Sequence, residues 1–321
     1  MKWFVLTRVL LLSLCAVLPG SAYGEDRAEL LQAMVLTGQS NHGWRASSEH
    51  HRHSLEATGL FAVDLLTSPP SGGDMSAFDP RFSAYDVIVL DFNGDDWPER
   101  VQVAFERYMA NGGGLVYGHA TNHTFADWPE FNEIIGIGGW GGRDEKAGPM
   151  VKYRNGKMAL DYSPGFAGAC VDAHEFVVVT RASDHPIMRG LPAVWLHGKD
   201  ELYSDLRGPA KNMTILATAY SDPQYEAHWG VKTQGTGEHE PMAYTVRYGR
   251  GRVFGTPMGH VDGGAAADSG PWPAIDCVGF TTLLQRGAEW AATGKVTQAV
   301  PADFPTESNV TFRLRESRRT Q

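Results

Sequence analysis

Short apolar runs separated by polar, glycine-rich loops fill the first third of the chain, and this alternation narrows the possible folds more than any other feature. Gln32 to Thr37, Phe61 to Leu66, Val87 to Leu90 and Leu115 to Gly118 each read as a buried strand. Ser48 to Thr58 reads as a helix between the first two. Val101, Ala104, Phe105, Tyr108 and Met109 recur at helical spacing between the third and fourth, behind Asp96 and Pro98 and ahead of Gly112. Strands that alternate with helices predict βαβ units on a parallel, doubly wound α/β sheet. Strands resume at 214–219, 243–248 and 252–255, the last two joined by a Gly249-Arg250-Gly251 turn. A final helix carries Phe280, Leu283, Leu284, Gly287, Ala288 and Ala291 and stops at Gly294. Residues 120–209 read as an irregular insertion over one sheet edge, with hairpin-like strands near 151–153 and 176–180. No internal repeat divides the chain, so one domain is expected over 25–294, followed by a surface-bound or loose tail over 295–321.

Residues 1–24 read as a secretory signal peptide: Lys2 and Arg8, an apolar run from Val9 to Leu18, then Pro19-Gly20 ahead of Ala22 and Gly24. That run is too short to span a bilayer, so a secreted or periplasmic protein without stable membrane insertion is expected. With 37 acidic against 28 basic residues the net charge is -9, which disfavours nucleic acid as a partner. Beyond the signal only Cys170 and Cys277 remain, and either a disulfide or two buried thiols fits them.

Three histidines fall just past predicted strands: His42, His119 and His260. Ligands of open parallel sheets bind outside the carboxyl ends of the strands, so three such loops are expected to bring these imidazoles together. Imidazole serves as base, acid or ligand for a divalent metal such as zinc. His50, His51 and His53 form a denser cluster, read instead as the solvated face of a helix. His197, Asp200 and Glu201, close to Tyr203, supply an imidazole and carboxylates for acid–base work or cation binding. Trp44, Trp140 and Tyr203 offer aromatic faces to a sugar ring, with Asn122 and Arg143 as polar contacts. The glycine-rich 136–142 loop lacks the ending of a phosphate cradle, so no nucleotide cofactor is expected, and no nucleophile elbow of a serine hydrolase occurs.

Several of these stretches form an ordered set. They are Asn41-His42-Gly43-Trp44, Asn111 to His119, His185-Pro186-Ile187, Asp200-Glu201-Leu202-Tyr203, and Gly249 to Phe254 running on to Gly259-His260. In order and spacing the chain from about Ala33 to Gly294 resembles the ThuA-like (trehalose utilisation) family. The resemblance implies a flavodoxin-like fold similar to the class I glutamine amidotransferases, and a link to carbohydrate catabolism, in particular to glycosides oxidised to 3-keto sugars. Amidotransferases carry a nucleophilic cysteine on the turn after a central strand; here that turn, Tyr117-Gly118-His119-Ala120, carries His119. Glutamine chemistry is therefore not expected. His119 is expected to face the crevice.

Two functions follow from this reading. One is an enzyme that eliminates or hydrolyses a glycoside or keto-sugar with His119, Glu201, Asp200 and His197 in catalysis and His42, His119 and His260 on a metal. The other is a noncatalytic sugar-binding or interaction module. In both the partner is a small carbohydrate, and the oligomeric state is left open.

Overall fold

The computed structural model describes residues 30–228, 232–266 and 270–313, together with Met1. The signal segment expected over 1–24 otherwise lies outside the described residues. Among the described residues no helix is long and apolar enough to cross a membrane.

In chain order the parallel half comprises β1 (Leu31–Thr37), α1 (Trp44–Glu56), β2 (Phe61–Thr67), β3 (Val87–Leu90), α2 (Glu99–Ala110) and β4 (Gly114–Gly118). A short helix α3 (Pro129–Ile135) follows. Then come strands β5 (Met150–Arg154), β6 (Lys157–Asp161), β7 (Ala169–Val171), β8 (His174–Thr180), β9 (Val194–Asp200) and β10 (Tyr203–Ser204). The chain closes with β11 (Met213–Tyr220), β12 (Ala227–His228), β13 (His239–Tyr248), β14 (Gly251–Thr256), α4 (Pro273–Asp276) and α5 (Val278–Thr293). The main sheet runs β2-β1-β3-β4-β14-β13-β11-β8-β9, with the β5–β6 hairpin branching from β13; β10, β7 and β12 form a small second sheet.

From β2 to β14 all neighbours are parallel; β1, β3, β4 and β14 are largely buried because both faces are covered, while β2 at the edge is partly exposed. Alternation sorts their side chains. Ala33, Val35, Val87, Val89, Val116 and Phe254 meet one core layer together with Leu55 of α1 and Leu283 of α5. Met34, Leu36, Ile88, Leu90, Leu115 and Val253 meet the opposite layer with Phe105 of α2 and Phe131 of α3. Helix α5 ends where Gly294 takes the left-handed conformation at φ 78°.

The stretch read as an irregular insertion is more ordered than expected: it contributes β5 to β10, with β8 and β9 extending the main sheet. Its pairings are antiparallel and long-range, which hydrophobic periodicity does not report. Helix α1 begins at Trp44, four residues before its expected start. His50 and His51 on it are 4% and 6% exposed and pack on Phe280 of α5, whereas only His53 is exposed, so the solvated-face reading of this cluster is corrected. The described part of the tail, 295–313, is strapped down: Leu196 N–H donates to the Thr306 carbonyl, and Glu289 accepts from Thr297 and Gln298 N–H. Cys170 and Cys277 are both buried and unbridged.

Candidate functional site

The carboxyl ends of β1, β3, β4 and β14 all open on one side of the sheet, a consequence of parallel pairing. Strand β9 lies four antiparallel steps beyond β14 and so runs in the same direction. Its end, Asp200-Glu201, therefore reaches the same side. Two loops are drawn together by Gly43, whose N–H donates to the Val261 carbonyl at 2.9 Å. A Cβ at Gly43 would sit 2.6 Å from the Asp262 carbonyl oxygen. That close approach sets His42 beside His260. His119 starts the turn after β4 at φ 28°, a region that residues with side chains rarely adopt.

His42, His119, His260 and Glu201 converge, each offering one ligand atom within 4.8 Å of the others. His119 Nε2 lies 3.1 Å from His260 Nδ1, and Glu201 Oε2 lies 3.7 and 3.2 Å from those two nitrogens. The opposite ring nitrogen of each histidine faces an oxygen acceptor. His119 Nδ1 meets the Pro257 carbonyl at 2.8 Å, His42 Nδ1 meets Asn41 Oδ1 at 3.0 Å, and His260 Nε2 meets Asp262 Oδ1 at 3.2 Å. On His42 and His119 a ring proton on the outer nitrogen leaves the inner nitrogen unprotonated, the arrangement found around metal-bound imidazoles. Burial, reinforced by His260, lowers His42 to about 4, and burial with the neighbouring histidines pushes His119 well down. Burial lowers His260 too, but Glu201, Asp200 and Asp262 outweigh it and hold it at about 9. The donor set, three imidazoles and one carboxylate, suits zinc or a similar divalent ion.

His197 and Asp200, expected in catalysis, are 0% and 1% exposed and stand behind the site. Asp200 accepts from His197 Nε2 at 2.9 Å, from Gly259 N–H at 2.7 Å, from His260 N–H at 3.0 Å and from Glu201 N–H at 2.8 Å. Their hydrogen bonds go to each other and to the loops that carry Glu201 and His260, which places them in support of the site. Asn122 and Arg143, expected on the sugar, are also scaffold. Asn122 is 0% exposed, donating to the His119 carbonyl and accepting from Tyr244; Arg143 donates to Asn132 and to the carbonyls of His123, Gly139 and Thr124. Trp44 is half-buried under the Arg45 guanidinium, 4.2 Å from its ring centre. Trp140, half-buried, packs 4.2 Å from His123 and 4.7 Å from Tyr203. Gly168 makes room for it, since a Cβ there would lie 2.7 Å from the indole. Tyr203 is buried, its ring 4.3 Å from that of His119.

Two groups were not anticipated. His123 contacts the Tyr203 hydroxyl at 3.2 Å. Asp91, the residue just past β3, lines a recess with Ser47, His51, His42 and His119 of about 10 Å³, room for about one water. Its carboxylate accepts from Ser47 Oγ at 2.7 Å, and burial, against that bond, raises it to about 7. The strand-end rule that picked out the histidines would have found Asp91 had it been applied to carboxylates.

The chain resembles a ThuA-like protein from Parabacteroides merdae of known crystal structure, with 46% identity and a TM-score of 0.82 over 89% of this chain and 98% of that one. A second ThuA-like protein, from Bacteroides uniformis, shares 20% identity and a TM-score of 0.53 over 86% of this chain and 97% of that one, a likeness of fold. No curated protein sequence matches the chain. Residues 32–291 match the family described as trehalose utilisation, and the chain belongs to this ThuA family.

Proposed function

We propose that this chain is a metal-assisted enzyme of carbohydrate breakdown that cleaves a glycoside oxidised to a 3-keto sugar. One observation carries the reading: each imidazole of the quartet turns its outer nitrogen to an oxygen acceptor and its inner nitrogen to a common point shared with Glu201. His42, His119, His260 and Glu201 would hold the ion, which supplies positive charge for the substrate carbonyl oxygen. A 3-keto group acidifies the neighbouring C2–H. In the elimination that follows, the C2 proton passes to Asp91 by way of a water in the recess, the C1=C2 bond forms, and the C1–O bond breaks. Its electron pair leaves with the glycosidic oxygen, which takes up a proton. Asp91 fits the base role because it lies in the recess with two of the proposed ligands and stands near 7, close to an operating pH. Trp140, half-buried against His123 and Tyr203, provides a face for the pyranose ring.

Family membership supports the substrate class. The parallel order β2-β1-β3-β4-β14 supports a flavodoxin-like, amidotransferase-like core, and the apolar leader supports export. The test pairs metal analysis of purified protein with turnover of an aryl 3-keto-glucoside. One divalent ion per chain and aryl release, both lost in His42→Ala and His119→Ala, are the expected results. Saturable sugar binding that survives loss of the histidines, without turnover, would replace the enzyme by a binding module.

A further inference from the structure

The hydrogen bonds around Tyr203 have a forced direction. A carbonyl can only accept, so His119 Nδ1, 2.8 Å from the Pro257 oxygen, carries the ring proton and Nε2 is bare. The Tyr203 hydroxyl, 2.7 Å from that Nε2, must then donate to it. Its one proton being used, the hydroxyl accepts from His123 Nε2 at 3.2 Å. The chain of donors thus runs from His123 through Tyr203 to His119 and ends on the lone pair that points into the quartet. His260 Nδ1, at 3.1 Å, is the more distant rival for that lone pair and has Glu201 Oε2 at 3.2 Å as its own acceptor. Tyr203 is 1% exposed, with its ring between those of His119 and Trp140, so it has little freedom to swing away.

Resting on the metal reading above, we propose that Tyr203 is a specificity-determining residue that covers the His119 lone pair until a cation takes it, and then presents its hydroxyl to an oxygen ligand on that cation. A nitrogen lone pair serves one partner, so metal entry must break the Tyr203–His119 bond. The released O–H stays anchored by His123 at the edge of the site. There it favours a carbonyl or hydroxyl oxygen, a hydrogen-bond acceptor, over a ligand with no lone pair to offer. The residue therefore opposes metal loading while selecting for an oxygen-bearing substrate.

The test uses zinc alone as probe. Tyr203→Phe keeps the ring and its packing but removes the competitor, so zinc affinity measured by calorimetry should rise about two- to tenfold, the scale of one net hydrogen bond. Unchanged or weaker affinity, with wild type binding zinc, overturns this proposal alone; weaker affinity would make the phenol oxygen itself a ligand. Absence of zinc binding in both proteins overturns the metal reading and this proposal together. A second measurement is independent of metal and of the variant's folding: nitrogen-15 spectra of the metal-free wild type should show His119 protonated on Nδ1. Protonation on Nε2 would reverse the donor chain and overturn the proposal.

Discussion

Asp200→Asn should be among the most damaging single substitutions in this chain, and its cost should depend on pH. Burial alone would pull His197 down, but its hydrogen bond to Asp200, helped by Cys277, outweighs burial and holds it at about 9 against an ordinary 6.5. The rise from 6.5 to about 9, shared between Asp200 and Cys277, is worth about 3.5 kcal/mol of folding stability, from about 1.4 kcal/mol per pK unit. Because the folded-state value is raised, that contribution is fully present below about pH 6.5 and is lost as pH climbs through about 9. Asparagine also confronts the Gly259 and His260 N–H groups with one acceptor oxygen in place of two. That adds a pH-independent loss of about 1–3 kcal/mol. Urea unfolding of wild type and variant at pH 6 and pH 9.5 measures both parts. The gap between them should be several kcal/mol at pH 6 and shrink at pH 9.5 by the share of the His197 rise that Asp200 rather than Cys277 supplies, up to about 3 kcal/mol. A gap that stays constant across this range would refute the His197–Asp200 pairing as the source.

Other outcomes follow from the same geometry. Asp91 is raised from 3.8 to about 7 by burial, so the stability it contributes is complete below about pH 3.8 and lost as pH rises through 7. Asp91→Asn should match wild type at pH 4 and exceed it at pH 8 by up to about 4 kcal/mol in chemical denaturation, while turnover falls; equal stability at pH 8 would contradict this. His42→Ala should weaken zinc binding by more than the roughly 10–100-fold expected of Asn41→Ala, which only orients the ring. Equal losses in calorimetry would remove His42 from the ligand set. Gly168→Ala, at φ 89° and with its new Cβ 2.7 Å from the indole, should shift Trp140 emission and cost about 1–3 kcal/mol. An unaltered spectrum would show that the loop yields instead.

The parallel half was legible because β1, β3 and β4 are buried on both faces and read as apolar runs, so strand ends, and His42, His119 and His260 past them, could be placed. Glu201 could be named but not separated from Asp200: neighbours on an extended segment point apart, and which one faces the quartet depends on β9. That strand has half-buried positions and polar residues, and its register is set by antiparallel pairing with β8, which a hydrophobic pattern does not report. Asn122 and Arg143 misled for a related reason. Polar residues beside a site look like contacts in a sequence, whereas here their hydrogen bonds go to the turn that carries His119 and its neighbours. Tyr203 was expected for its ring, but it is the direction of its hydroxyl proton, set by the Pro257 carbonyl far along the chain, that ties it to His119.

The quartet draws one residue from each of four loops, at positions 42, 119, 201 and 260, while the strands beneath are held by apolar packing that does not involve those side chains. Scaffold and chemistry can therefore drift apart over evolutionary time: a descendant could exchange any of the four and still close the same sheet. Overall similarity within the family then sorts proteins by ancestry, and on the proposed function the presence of all four would sort them by reaction. A sequence that keeps the His119 turn but replaces Glu201 should fold alike and act otherwise, so these four positions are where a survey of relatives should draw its functional boundary.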